Sequence, residues 1–250
     1  MSTPKALATF SKGLEGIVAA QTRLSDVRGD IGQLIYCGYD INELAGKVTY
    51  EEVVHLLHHN HLPNAKELAG LKATLAQFRD IPQGVIDVIC KLPKDAAPMD
   101  VLRTAVSALG CFDTTGEDDS QHSQRRKALR LVAQVPVVTA YYHRNRQGLS
   151  LIAPDATLGE AANFLWMVNG TLPTKDMEAT MDVCYVLHAD HGMNASTFGA
   201  RVTIATLSDM YSAITTAIGT LKGPLHGGAN EGVIKMLHEI GSLEKVDGWV

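Results

Sequence analysis

No run of apolar residues in this sequence approaches the roughly 20 needed to cross a bilayer. Basic residues are not in excess either. Lys and Arg total 22 against 27 Asp and Glu, a formal net charge of -5, which gives no cationic surface for nucleic acid or anionic lipid. Cysteine is sparse: Cys37, Cys90, Cys111 and Cys184 are far apart and form no CxxC, so they read as buried free thiols in a reducing compartment. That excludes a disulfide frame and a cysteine-based zinc site. G-x-S-x-G, the P-loop and G-x-G-x-x-G are all missing, which excludes an esterase nucleophile elbow and the common phosphate cradles. No repeat period and no low-complexity linker is visible. The first twelve residues hold too short an apolar stretch for a signal peptide, so a soluble cytoplasmic protein is expected.

What is present is ordinary globular material. The 250 residues are 46% hydrophobic and 20% charged, enough for one large domain or two smaller ones. Residues 13–40 are punctuated by glycine and predict small strands or a hairpin. From Asp40 onward the pattern is helical. Asp40 with Glu43, Thr49 with Glu52, Asn64 with Glu67, and Thr157 with Glu160 have capping-box spacing. Pro98 suits the first position of a helix, Pro136 is expected to kink a long one over 121–146, and Thr174 caps another. Helices are further predicted over 195–207, 209–221 and 227–240. The fold class is mostly α, with a minor β element near the N-terminus.

The ten histidines need local explanations. His55, His58, His59 and His61 crowd the end of one predicted helix. A metal site is one reading, since imidazoles three or four apart share a helix face. No cysteine or carboxylate close by completes a ligand set, and the favoured reading is a helix C-terminus whose dipole suits histidine. His122 and His143 lie among charges and are expected in solvent, and His238 reads as structural. His188 and His191 flank Asp190 at the end of an apolar helix, before Gly192, Asn194 and Ser196. They lack a metal motif such as HExxH. An imidazole and an amide together can hold an anionic or carbonyl-bearing substrate, and a plain polar helix junction remains open beside that reading. His226 sits between Gly223-Pro224 and Gly227-Gly228. Gly223 is expected to end one helix in the left-handed conformation and Pro224 to stop it, so His226 falls near the next helix N-terminus. The positive dipole end there disfavours imidazolium, and a neutral imidazole N–H suits a developing enol oxygen.

Several segments together resemble the citrate synthase family, 2-methylcitrate synthases included. They are residues 13–19, Gly32-Gln33-Leu34-Ile35-Tyr36-Cys37-Gly38-Tyr39-Asp40-Ile41, residues 187–198, residues 207–212, and Gly223-Pro224-Leu225-His226-Gly227-Gly228-Ala229-Asn230-Glu231. The resemblance implies a multi-helical large domain over 1–225, with a small domain only begun over 226–250. It implies condensation of oxaloacetate with acetyl-CoA, the entry step of the tricarboxylic acid cycle, then hydrolysis of the citryl thioester. By position, His191 matches the histidine that polarises the oxaloacetate ketone, Asn194 its neighbour in that pocket, and His226 the histidine that hydrogen-bonds the acetyl thioester oxygen. Ser196 matches a serine that orients His226. The family's partners would be oxaloacetate, an acyl-CoA and a second copy of the chain. The apolar helices near 158–168, 175–189, 209–221 and 228–240 are candidates for the homodimer surface, with an ordinary intrachain core as their alternative. No metal and no resident cofactor is implied, acetyl-CoA being a substrate. The family's aspartate base, a third histidine and the carboxylate-clamping arginines match nothing in this sequence, so the 250 residues are expected to be inactive alone. Alternatives are propionyl-CoA as the acyl donor, a metal-dependent hydrolase using His188, Asp190, His191 and His226, and a non-catalytic helical dimerisation module.

Overall fold

The structure is a computed structural model and describes residues 18, 20–115, 118 and 120–249, with the backbone only over 228–231. The expected family-like segment at 13–19 lies largely outside those residues. Three short strands come first: β1 (Ser25–Arg28), β2 (Gln33–Tyr36) and β3 (Tyr39–Asp40). They pair antiparallel in chain order, Ser25 opposite Tyr36 and Tyr36 opposite Tyr39. The β2–β3 turn is Cys37-Gly38, both at positive φ (46° and 94°). This is the two-residue hairpin geometry whose twist matches that of the strands.

Helices follow: α1 (Ile41–Leu44), α2 (Tyr50–His59), α3 (Ala65–Phe78), α4 (Gln83–Lys91), α5 (Pro98–Cys111), α6 (Gln121–Arg146), α7 (Glu160–Asn169), α8 (Lys175–Leu187), α9 (Ala195–Ile204), α10 (Met210–Leu221), α11 (Gly228–Ile240) and α12 (Val246–Trp249). The capping boxes at Asp40/Glu43, Thr49/Glu52 and Asn64/Glu67 are present with both reciprocal bonds. Pro98 opens α5, and Thr174 accepts the Met177 amide at the start of α8. α6 is continuous through Pro136. α9 stops at Ile204, short of the expected 207, and Leu207 takes a left-handed φ of 63°.

One capping box is overturned. Thr157 turns its hydroxyl and its amide to Asp155 Oδ1, at 2.6 and 2.8 Å. The N-cap of α7 is Gly159, and the Glu160 amide donates instead to Glu51 Oε1 of α2 at 3.0 Å. Glu160 is unavailable for a local box because its own carboxylate accepts from Arg79 Nη2 at 2.8 Å and Nε at 3.1 Å. Arg79 also donates to the Asp155 and Leu158 carbonyls at 2.6 and 2.8 Å. Arg79 and Glu160 are 2% and 1% exposed. Burial pushes the Glu160 carboxyl up, outweighing the opposite pull of the guanidinium. The start of α2 is held in the same way, by Asp182 of α8, which accepts the Tyr50 amide at 2.9 Å.

The main core joins α4, α5, α6, α7 and α10 around Ile89, Val106, Leu109, Val138, Met167 and Ile218. α7 and the inner face of α10 are therefore part of the intrachain core. A second core packs Tyr36 and Leu44 against Val53, Leu56 and Val186, seating the sheet on α2 and α8. The cysteines are free, as expected, but not buried: Cys90, Cys111 and Cys184 are exposed and Cys37 is half-buried. Each of the three exposed thiols stands on the outward side of a helix whose opposite stripe supplies the core. His143 is half-buried rather than solvated, and His238 stands exposed on α11. No described helix is long and apolar enough to cross a membrane.

Removing Arg79 strands the buried Glu160 carboxylate and two carbonyls. Arg79→Ala is expected to cost about 3–5 kcal/mol of unfolding free energy, read from urea denaturation. A loss below ~1 kcal/mol would show that the ion pair is not what joins these helices.

Candidate active site

The loop after α8 is fixed from the far end of the chain. Tyr36 in β2 is fully buried, and its hydroxyl donates to the Val186 carbonyl at 3.1 Å and accepts from the Asp190 amide at 3.2 Å. Asp190 Oδ1 accepts from Ser25 Oγ and from the Gly192 amide, both at 2.6 Å. These supporting residues were not read as such from sequence. The signals were that Tyr36 falls in the family-like segment 32–41 and Asp190 in the segment 187–198. His188 caps the end of α8 with its ring on the Cys184 carbonyl at 2.7 Å, a structural role.

Asn194 is the N-cap of α9. Its Oδ1 accepts the Thr197 amide at 2.8 Å and the Ser196 hydroxyl at 2.6 Å. With the oxygen so committed, Nδ2 faces His191 Nε2 at 3.2 Å and donates to it. His191 therefore holds its lone pair on Nε2 and its proton on Nδ1. On the other side, His226 Nε2 lies 3.0 Å from Ser196 Oγ. The Ser196 hydrogen is spent on Asn194, so the imidazole donates, and a neutral His226 presents a lone pair at Nδ1. All four expected residues, His191, Asn194, Ser196 and His226, thus stand in one hydrogen-bonded chain. His191 is exposed and the other three are half-buried.

The segment that brings His226 there differs from expectation. Gly223 is not left-handed; its amide donates to the Thr220 carbonyl at 3.1 Å, tightening the last turn of α10. The His226 amide closes a turn onto the Gly223 carbonyl (2.9 Å), and the Gly227 amide reaches the Leu221 carbonyl (3.0 Å). A Cβ at Gly227 would lie 2.1 Å from that carbonyl oxygen, so this return of the chain requires glycine. His226 precedes the α11 N-cap, Gly227, as expected.

His188, Asp190, His191 and His226 do not gather as a ligand group. Among the described residues, the three that do are His55, His61 and Glu67, with ligand atoms within 4.8 Å of one another. Reading no carboxylate beside the His55–His61 cluster was wrong. Glu67 comes from the next helix, α3, and the turn between the helices folds it back. A cavity of about 510 Å³ between the end of α3, α5, α6 and α10 is lined by Phe78, Phe112, Arg130 and Tyr211 and includes none of the His191–His226 chain.

The family model described as "Citrate synthase, C-terminal domain" matches residues 13–250. The chain belongs to the citrate synthase family. It is 48% identical to a citrate synthase of Haloferax volcanii over 92% of this chain and 62% of that one. It is 44% identical to 2-methylcitrate synthase 2 of Corynebacterium glutamicum, covering 96% of this chain and 64% of that one. The fold superposes with a TM-score of 0.89 and 33% identity on the citrate synthase of Thermoplasma acidophilum, solved as a ternary complex with carboxymethyl coenzyme A and oxaloacetate, over 96% of this chain and 63% of that one. The chain thus spans 62–65% of the length of the first curated relatives it matches.

Tyr36→Phe keeps the buried ring and removes the hydroxyl that joins β2 to the 186–190 loop. It is expected to cost about 1–3 kcal/mol, because the Asp190 amide loses its partner, and to speed amide exchange at Asp190. Unchanged exchange there would mean that the loop holds itself.

Proposed function

We propose that the chain His191–Asn194–Ser196–His226 is one wall of a citrate synthase-type active site, which joins oxaloacetate to an acyl-CoA and then hydrolyses the thioester. The observation that carries this reading is the single hydrogen-bonded path between the two histidines, in a chain of this family. His191, with its proton on Nδ1, is the donor that polarises the oxaloacetate ketone, and Asn194 holds that tautomer. His226 serves the thioester carbonyl as its methyl loses a proton and an enol forms. The enol carbon then bonds to the ketone carbon, and water cleaves the citryl thioester to release the thiol. Donation from His226 Nδ1 requires the other tautomer, in which Nε2 loses its proton to solvent, Nδ1 gains one from solvent, and the Ser196 hydroxyl rotates from Asn194 Oδ1 to donate to Nε2. Ser196 is thus a tautomer selector and a positioning residue. The acyl-CoA is substrate, and the reading needs no resident cofactor or metal. A cytoplasmic location goes with it.

This wall supplies donors and no general base. Asp190, the carboxylate beside His191, has its Oδ1 committed to Ser25 and Gly192. We infer that the 250 residues bind oxaloacetate without completing turnover. Propionyl-CoA is the second acyl donor to consider, because the Corynebacterium relative named for 2-methylcitrate is nearly as similar as the Haloferax citrate synthase. Calorimetry with oxaloacetate is expected to show binding that His191→Ala abolishes, and thiol release with acetyl-CoA or propionyl-CoA is expected to stay near background. Absence of oxaloacetate binding in the folded chain would sink the substrate assignment. Rapid thiol release would sink only the missing-base inference, and the preferred acyl-CoA would then name the substrate. Ser196→Ala in a turnover-competent form should lower kcat and leave KM for oxaloacetate unchanged.

The division at 225/226 into a large domain and the start of a small one is part of the same reading. So is a second copy of the chain. Phe198, Val202 and Ile204 on α9 and Val233, Ile234 and Leu237 on α11 are exposed apolar side chains that suit burial by another subunit. Sedimentation velocity is expected to give a dimer, and a folded monomer at tens of micromolar would remove this proposal.

A further inference from the structure

We propose that His55, His61 and Glu67 form a divalent transition-metal site of the zinc type that staples α2 to α3. His55 lies in α2, His61 in the connection and Glu67 in the first turn of α3. The ligand set is two imidazoles and one carboxylate, which zinc takes with one tetrahedral position left for water. Two features make it more than a cluster of polar side chains.

The first is the supporting hydrogen bonds. His55 Nδ1 lies 3.0 Å from the His61 carbonyl and His61 Nδ1 lies 3.2 Å from the His59 carbonyl. A carbonyl only accepts, so both rings carry a proton on Nδ1 and present Nε2 as the ligating atom, which in His61 faces the Glu67 carboxylate. Metal-binding histidines use the same arrangement to fix their tautomer and aim the ligating nitrogen. Glu67 is likewise half-committed. Its Oε2 accepts the Asn64 amide at 2.8 Å in the capping box, and its Oε1 turns to His61 Nε2 at 3.5 Å. One bond at each ligand thus holds the orientation, and a metal would take the place of the long His61–Glu67 contact.

The second is the mix of burial and freedom. His55 is 6% exposed and stacks on the His59 ring at a centroid distance of 4.3 Å, so one ligand is fixed. The His61 and Glu67 side chains are 55% and 38% exposed, open to an entering ion and able to turn. Small rotations bring separations within 4.8 Å to the roughly 3.3 Å that tetrahedral zinc bonds of ~2.0–2.1 Å impose. The bound ion would bridge both helices and the connecting turn, so it should stabilise the folded chain by linkage. It would leave the His191–His226 wall untouched.

The test uses the whole 250-residue chain after EDTA treatment, titrated with Zn²⁺ by calorimetry, with Tm and the visible spectrum of the Co²⁺ form as further readouts. One equivalent of Zn²⁺, a higher Tm and a tetrahedral Co²⁺ band are expected. All three should disappear in His61→Ala, weaken in Glu67→Gln, which keeps an oxygen for the Asn64 amide, and persist in His122→Ala at an exposed histidine elsewhere. No Zn²⁺ heat and no Co²⁺ band in the unaltered chain would overturn the proposal. A Zn²⁺ response undiminished in His61→Ala and Glu67→Gln would overturn it equally.

Discussion

The buried guanidinium of Arg79 is the contact on which the helical assembly turns. It draws Glu160 into the interior and holds two carbonyls of the segment before α7. Glu160 is thereby lost as a local cap, and the vacated amide at the start of α7 is taken by Glu51 from α2. Asp182 of α8 does the same for the first amide of α2. Unsatisfied amides at a buried helix start are costly, so these carboxylates set where the helices begin relative to one another. The order α2–α7–α8 is thus specified by charge and hydrogen bonding as well as by apolar packing. α8 in turn ends where His188 closes its last turn, and the site loop follows.

At the site, one side-chain amide decides the state of two rings. Asn194 accepts twice through Oδ1, and that double acceptance leaves only Nδ2 to meet His191. The proton on His191 is therefore set by the cap of α9. The proton on His226 is set by the direction in which the Ser196 hydroxyl points. A helix cap and the hydrogen-bonded path between the two histidines share the same atoms, which couples the geometry of α9 to the orientation of both rings. Tyr36 extends that coupling to the sheet, since the loop that carries His191 hangs on its hydroxyl.

The histidines divide by what their second nitrogen touches. In His55 and His61, Nδ1 is bound to a backbone carbonyl, and His61 Nε2 faces the Glu67 carboxylate. His188 is bound to its own helix end, and His191 and His226 to the Asn194–Ser196 relay. The residue type is constant across these positions. Its function follows from whether the nearest polar neighbour accepts, donates or does both.

The family-like motifs singled out His191, Asn194, Ser196 and His226, and the fold joined His226 to Ser196 across 30 residues. The sequence by itself determined the helical class, the N-terminal strands and three of the capping boxes. These rest on spacings of three or four residues or on motifs contiguous in the chain, where local backbone geometry alone brings the groups together. Cys90, Cys111 and Cys184 were misjudged as buried because burial depends on which helix stripe the fold covers, and residue type alone does not say. Tertiary structure alone decided that Glu51 rather than Thr157 completes the start of α7, that Tyr36 holds the Asp190 loop, and that Glu67 closes on His55 and His61. The partners in the first two contacts are 109 and 154 residues apart. Glu67 is six residues beyond His61 but reaches it only because the turn before α3 folds back. No local periodicity encodes such meetings, because the packing of whole helices, and not the conformation of any one segment, sets the distance between the groups.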